Sequence, residues 1–178
     1  FYVSVNPTKD EIEIQTLPPE FFCESGDNYI DYQTGGECAA YGSAFVLRHL
    51  GKNISGKELY PQIKRTFGFV PAKSIVDVFE QYGYFAKVYH GNTESLKKRL
   101  CEGVPVIAFV TIPNDTHYLV VVGYDENYFY FADSLKENKN SDKKEYNRKL
   151  TVEEFEKIWK TNTLLSDNIY IVVNPVSK

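Results

Sequence analysis

Three apolar runs in the second half of the chain commit it to a sheet. They are "VPVIAFVTI" (104–112), "HYLVVVGYD" (117–125) and "YFYFAD" (128–133). Each is rich in β-branched and aromatic residues, which favour a pleated surface, and polar or turn-forming residues separate them. "DEN" (125–127) predicts a tight turn, so the second and third runs should form a hairpin. The two arms are similar in length, which brings residues 117 and 133 to the same open end. "NIYIVVN" (168–174) predicts a closing strand.

The first half carries a different period. "FYVSV" (1–5) and "EIEIQT" (11–16) read as extended, the second by strict alternation, and "LPPE" (17–20) ends them. Residues 23–37 are polar and glycine-bearing, a loop. A helix is expected from Cys38 to Leu50, stopped by Gly51, and "SGKE" (55–58) is a capping box for another that Pro61 interrupts. In "PAKSIVDVFEQYG" (71–83), Ile75, Val78, Phe79 and Tyr82 share one helical face. "YFAKVYH" (84–90) predicts a strand and "NTESLKKRLCEG" (92–103) a short helix. Thr151 and Glu154 form a capping box opening "TVEEFEKIWK" (151–160). With no repeat and no linker, the expectation is one α+β domain over 1–178: a helical first half, an antiparallel sheet second half, and an extended segment 1–27 packed on the core.

Charge and hydropathy exclude several functions. The net charge is -4 and no basic patch dominates, so a nucleic-acid partner is not expected. The longest apolar run falls far short of the ~18–20 residues of a membrane span. No signal segment opens the chain; it begins at Phe1 and contains no Met, which suggests a trimmed product. Three histidines and three cysteines, with no CxxC or HxxxH, make a zinc cage improbable.

The cysteine at 38 is unusually placed, at a loop-to-helix junction in "QTGGECAAYGSAFVLRHLG" (33–51). A thiol attacks carbonyls as thiolate, and the positive first turn of a helix makes a cysteine a stronger acid. Gly35 and Gly36 allow a tight approach that leaves the thiol accessible. The bland alternative is a small buried hydrophobe, the usual fate of a free cysteine. A nucleophile needs a base. His49 lies 11 residues further along the same helix. At ~1.5 Å per residue that is roughly 16 Å away, too far for contact. His90 precedes an apparent turn and reads as a surface residue. His117 opens a predicted strand after the polar turn "PNDT", and Asp133 closes the strand paired with it, so the two can meet. Asp115 and Asp125 compete with Asp133 but read as turn residues. Cys38 N–H, with the side-chain amide of Gln33, could donate to an oxyanion.

Gln33, Glu37–Cys38 at a helix start, a His-hydrophobic-Gly strand from His117 and a strand ending at Asp133 together resemble the papain-like cysteine peptidases of the bacteriocin-processing, double-glycine-leader type. The resemblance covers about residues 28–135. Two positions depart from it: Ala39 stands where the family commonly has Gly, and Ser134 where it commonly has Pro. The resemblance implies the papain-like fold and a stand-alone bacterial peptidase. It implies Cys38 as nucleophile, His117 as base, Asp133 as its orienting acid and Gln33 in the oxyanion hole. It also implies a peptide or protein substrate and neither metal nor organic cofactor. Acyl or peptidyl transfer would use the same residues. A non-catalytic binding module on this scaffold has no reason to keep all four. Compartment and oligomeric state stay open. The segment 135–149 reads as a solvated loop with six cations against three anions, expected at the cleft rim and suited to an acidic peptide.

Overall fold

The structure is a computed structural model describing residues 7–24, 26–160 and 167–177, so the extended reading of 1–5 lies outside the described residues. The strands are β1 (Thr8–Lys9), β2 (Phe21–Phe22), β3 (Tyr84–His90), β4 (Val106–Ile112), β5 (Asp115–Tyr124), β6 (Tyr128–Ala132), β7 (Arg148–Thr151) and β8 (Ile169–Ser177). They form one sheet in the order β1-β3-β8-β4-β5-β6-β7, with β2 pairing β5 beyond the end of β4. Pairings are antiparallel except β1 with β3. Five α-helices accompany it among the described residues: α1 (Cys38–His49), α2 (Gly56–Leu59), α3 (Ala72–Gln81), α4 (Thr93–Leu100) and α5 (Val152–Ile158). This is an α+β architecture with a mostly antiparallel sheet.

The apolar runs are continuous because both faces of the central strands are covered. Ile107, Phe109, Val120 and Ala132 pack with α1 and α3 on one face; Val106, Ala108, Val121 and Phe131 pack with α4 and α5 on the other. Gly42 lets α1 lie close on β5, since a Cβ there would sit 3.2 Å from Val120 Cγ2. That contact fixes how far the first residue of α1 stands from the sheet. The capping boxes at Ser55–Glu58 and Thr151–Glu154 form as expected. α2 is only four residues long and passes into a 3-10 turn containing Pro61, whose ring prevents continuation.

Three expectations are corrected. Residues 11–16 keep alternating burial but join no strand, so the alternation reports a packed side rather than a ladder. β5 begins at Asp115, after a tight turn at Pro113–Asn114, and His117 lies inside it opposite Val110. The segment 135–149 is not uniformly solvated: a 3-10 turn occupies Lys136–Asn138, and β7 starts at Arg148. Among the described residues no helix is long and apolar enough to cross a membrane.

Candidate active site

Cys38 is the first residue of α1 and half-buried. Glu37 holds the N-cap position of α1 but its side chain makes no capping bond; it gathers the preceding loop instead, accepting from Gly35 N (2.6 Å) and Thr34 Oγ1 (3.1 Å). Thr34, Gly35 and Gly36 are thereby folded into a tight turn that leaves Cys38 open to a cavity. That cavity, about 390 Å³, is lined by Gln33, Cys38, His117, Phe69 and Leu135 among others. A larger one, about 520 Å³, lies between β2, α1 and residues 144–146 and contains none of the four candidates.

His117 and Asp133 are 1% and 0% exposed, so their charges cannot be relieved by water and must be settled by partners. His117 Nε2 lies 2.9 Å from Asp133 Oδ1. That leaves the other ring nitrogen, Nδ1, for Cys38, which lines the same cavity. Burial lowers the proton affinity of His117. The hydrogen bonds to Asp133 and Cys38, with their charges, outweigh burial and push its pKa up to about 9. Burial raises the pKa of Asp133, but His117, Leu135 N–H and the Arg148 charge outweigh it and hold the carboxyl below its ordinary range.

Four donors converge on the Asp133 carboxylate. Leu135 N (2.9 Å) shares Oδ1 with His117, while Arg148 Nη1 (2.9 Å) and Asn138 Nδ2 (3.2 Å) take Oδ2. Asn147 clamps the Asp133 backbone in both directions: its Oδ1 accepts from Asp133 N (2.8 Å) and its Nδ2 donates to Asp133 O (2.8 Å). Sequence reasoning missed Arg148, Asn147 and Asn138, all from the segment read as solvated. The expected cationic rim does not hold at the cavity. Arg148 is spent on Asp133, Lys139 pairs with Asp142, and the segment contributes Leu135 and the anionic Glu137 to the lining.

Gln33 is fixed from the end of β6. Its N–H donates to Ser134 O (3.0 Å), and its Oε1 accepts from Ser134 Oγ (2.5 Å). Its Nε2 donates one hydrogen to Gly35 O (2.6 Å). A carbonyl can only accept, so the nitrogen must lie on that side, and the second amide hydrogen remains available at the cavity. Ser134, which departs from the family pattern, is thus the residue that orients Gln33. His49 bonds Gly103 O (2.7 Å), and His90 ends β3 opposite Ile169. Asp125 bonds Tyr130 and closes its own turn; Asp115 lines the cavity rim. Among the described residues no group of three or more His, Cys, Asp or Glu could hold a metal ion.

A thiol at a helix start, facing a histidine on a packed sheet of this topology, defines the papain-like cysteine peptidases. The Peptidase_C39 like family matches residues 29–166, and the chain belongs to that family; it is a cysteine-type peptidase. Its fold is similar to that of a double glycine motif protease from an AMS/PCAT transporter, solved with a leader peptide (TM-score 0.63, 21% identity, covering 97% of this chain and 100% of that one). It is also similar to the peptidase domain of Streptococcus ComA, a bi-functional ABC transporter (TM-score 0.65, 19% identity, 84% and 99%). A Bacillus anthracis protein described as C39-like peptidase is comparable (TM-score 0.65, 20% identity, 88% and 98%). No curated protein sequence matches the chain.

Proposed function

We propose that the chain hydrolyses a peptide bond through a thioester acyl-enzyme, with Cys38, His117 and Asp133 as triad and Gln33 in the oxyanion hole. The observation that carries this is His117, buried between Asp133 at 2.9 Å and Cys38. Cys38 gives its thiol proton to His117 and its Sγ bonds to the scissile carbonyl carbon, and the oxyanion receives hydrogen bonds from Cys38 N–H and Gln33 Nε2. His117 delivers its proton to the leaving amine as the C–N bond breaks. Water then attacks the thioester and gives a proton to His117. The carboxylic acid product leaves as the thiol is regenerated.

The substrate is a peptide, entering the cavity beside Gly35, Gly36 and Gly68, where bare backbone leaves room for an extended chain. The leader peptide bound to the AMS/PCAT protease supports a peptide of this kind. The reading takes 1–178 as a single peptidase domain to which the segment 1–27 belongs. Asp10 is buried against Arg99 and Tyr170, and Cys23 sits in the core, which supports this. The test is a peptide library incubated with wild type and Cys38→Ala: cleavage by the first alone is expected, and equal cleavage by both would refute the reading. The orientation of Gln33 gives a narrower expectation. Ser134→Ala should lower kcat by roughly tenfold with little change in KM, since the loss falls on a transition-state donor. Steady-state kinetics on a library-derived peptide checks this; a change in KM alone would place Ser134 outside the oxyanion hole.

A further inference from the structure

The carboxylate of Asp133 is gripped from two sides. His117 holds Oδ1 and Arg148 Nη1 holds Oδ2, each at 2.9 Å. Arg148 is placed by β7, where it pairs with Phe131 two residues before Asp133, and its side chain is only 14% exposed. The other ionisable groups lining the cavity with His117, which include Tyr118 next to it on β5, are acidic or neutral. Cys38 faces it from α1, Asp115 shares its strand and Glu137 lines the cavity from the 3-10 turn. Asn138 is the uncharged fourth donor to Asp133. Arg148 is therefore the cation that balances this cluster.

We propose that Arg148 is a positioning residue of the peptidase site, holding Asp133 from its far side and limiting how tightly His117 keeps its proton. The proposal rests on the triad reading above. A carboxylate with one cationic neighbour acts fully on that neighbour; a second cation on its other oxygen offsets part of the field. An imidazolium held too tightly is a poor acid toward the leaving amine, because proton transfer works best with a pKa near the operating pH. The planar guanidinium also fixes the carboxylate direction, which an ammonium does less well.

The test is the rate of iodoacetamide alkylation of Cys38 against pH, with kcat/KM for a library-derived peptide measured in parallel. Arg148→Met should move the alkaline inflection, which reports His117, up by about one pH unit. It should also lower kcat near neutrality by roughly tenfold. Arg148→Lys keeps the charge and should return the inflection to the wild-type position, with a smaller loss of kcat. If Arg148→Met does not fold, Arg148→Gln, which keeps a donor without the charge, carries the same expectation. An unmoved inflection in the charge-free variants, or an equal shift in Arg148→Lys, overturns the proposal. His117→Ala separates the two readings: an alkaline inflection that persists there would overturn the triad reading itself.

Discussion

Cys38→Ala is expected to abolish peptide hydrolysis, lowering kcat by about 10⁴-fold or more, because it removes the atom that forms the acyl bond in the proposed mechanism. Its fold should be unaffected, since Cys38 is only half-buried at the start of α1 and alanine keeps its Cβ. The same residue should dominate alkylation of the native protein. Cys23 is buried, and burial together with the nearby Cys101 pushes its thiol up to about 12. Cys101 is half-buried against Tyr124 (3.5 Å). Only Cys38 opens into the cavity beside an imidazolium. Mass spectrometry after brief iodoacetamide treatment below pH 8 should find the label on Cys38 alone. Equal labelling of all three thiols would count against an activated nucleophile.

Asp133→Ala is expected to cost both activity and stability. Deleting the carboxylate leaves the largely covered Arg148 with its charge uncompensated and strips acceptors from Leu135 N–H and Asn138. Breaking a buried pair in this way destabilises by about 3–5 kcal/mol. Activity should fall by roughly 10²–10⁴-fold as His117 loses its orienting acceptor. Asp133→Asn keeps an amide oxygen that on its own could still orient the ring. The structure makes it harsher: donors approach both oxygens, so the amide NH₂ meets a donor whichever way it turns. Urea denaturation and kinetics on both variants check this, and a wild-type unfolding midpoint for Asp133→Ala would refute the buried grip.

The same pair sets the pH range of stability. Asp133 has a depressed folded pKa, so its contribution is present above the unfolded value near 3.8 and is lost as pH falls through the folded one. His117 is raised from 6.5 to about 9, so its contribution is full below 6.5 and is lost between 6.5 and 9. Wild type should therefore lose stability on that alkaline side, and His117→Ala should lose less there.

The sheet and the four candidates were legible because their signals are local. The runs 104–112, 117–125 and 128–133 show their strands in composition, and the turn at 125–127 aligns His117 with Asp133 by simple counting. The pairing does bring both to one end of the hairpin, but in a register that sets Val120 opposite Ala132, and its shift between Val121 and Gly123 was not foreseeable from residue types. Arg148, Asn147 and Asn138 were hidden because their partner is 5–15 residues away in a stretch whose charge density marks it as solvated. The available signal was the one arginine among the lysines, next to Asn147, since buried carboxylates favour the planar fork. The segment 11–16 misled for the opposite reason: alternation records which side chains are covered, and pairing depends on a neighbouring strand the local sequence does not contain.

The contacts at the site are far apart along the chain, and this bears on how activity is born. Gln33 meets Ser134 across 101 positions, and elsewhere in the fold Asp10 meets Tyr170 across 160. Synthesis proceeds from the N-terminus at about 5–20 residues per second, and distant closures are slow to form. A nascent chain therefore displays its thiol seconds before the imidazole exists, and longer before Arg148 can secure the acid. Until the sheet closes, Cys38 is an ordinary cysteine beside no base. The fold thus acts as its own timer: the ability to cut peptides emerges only with the last strands, and refolding assays should recover activity together with burial of Trp159, not before it.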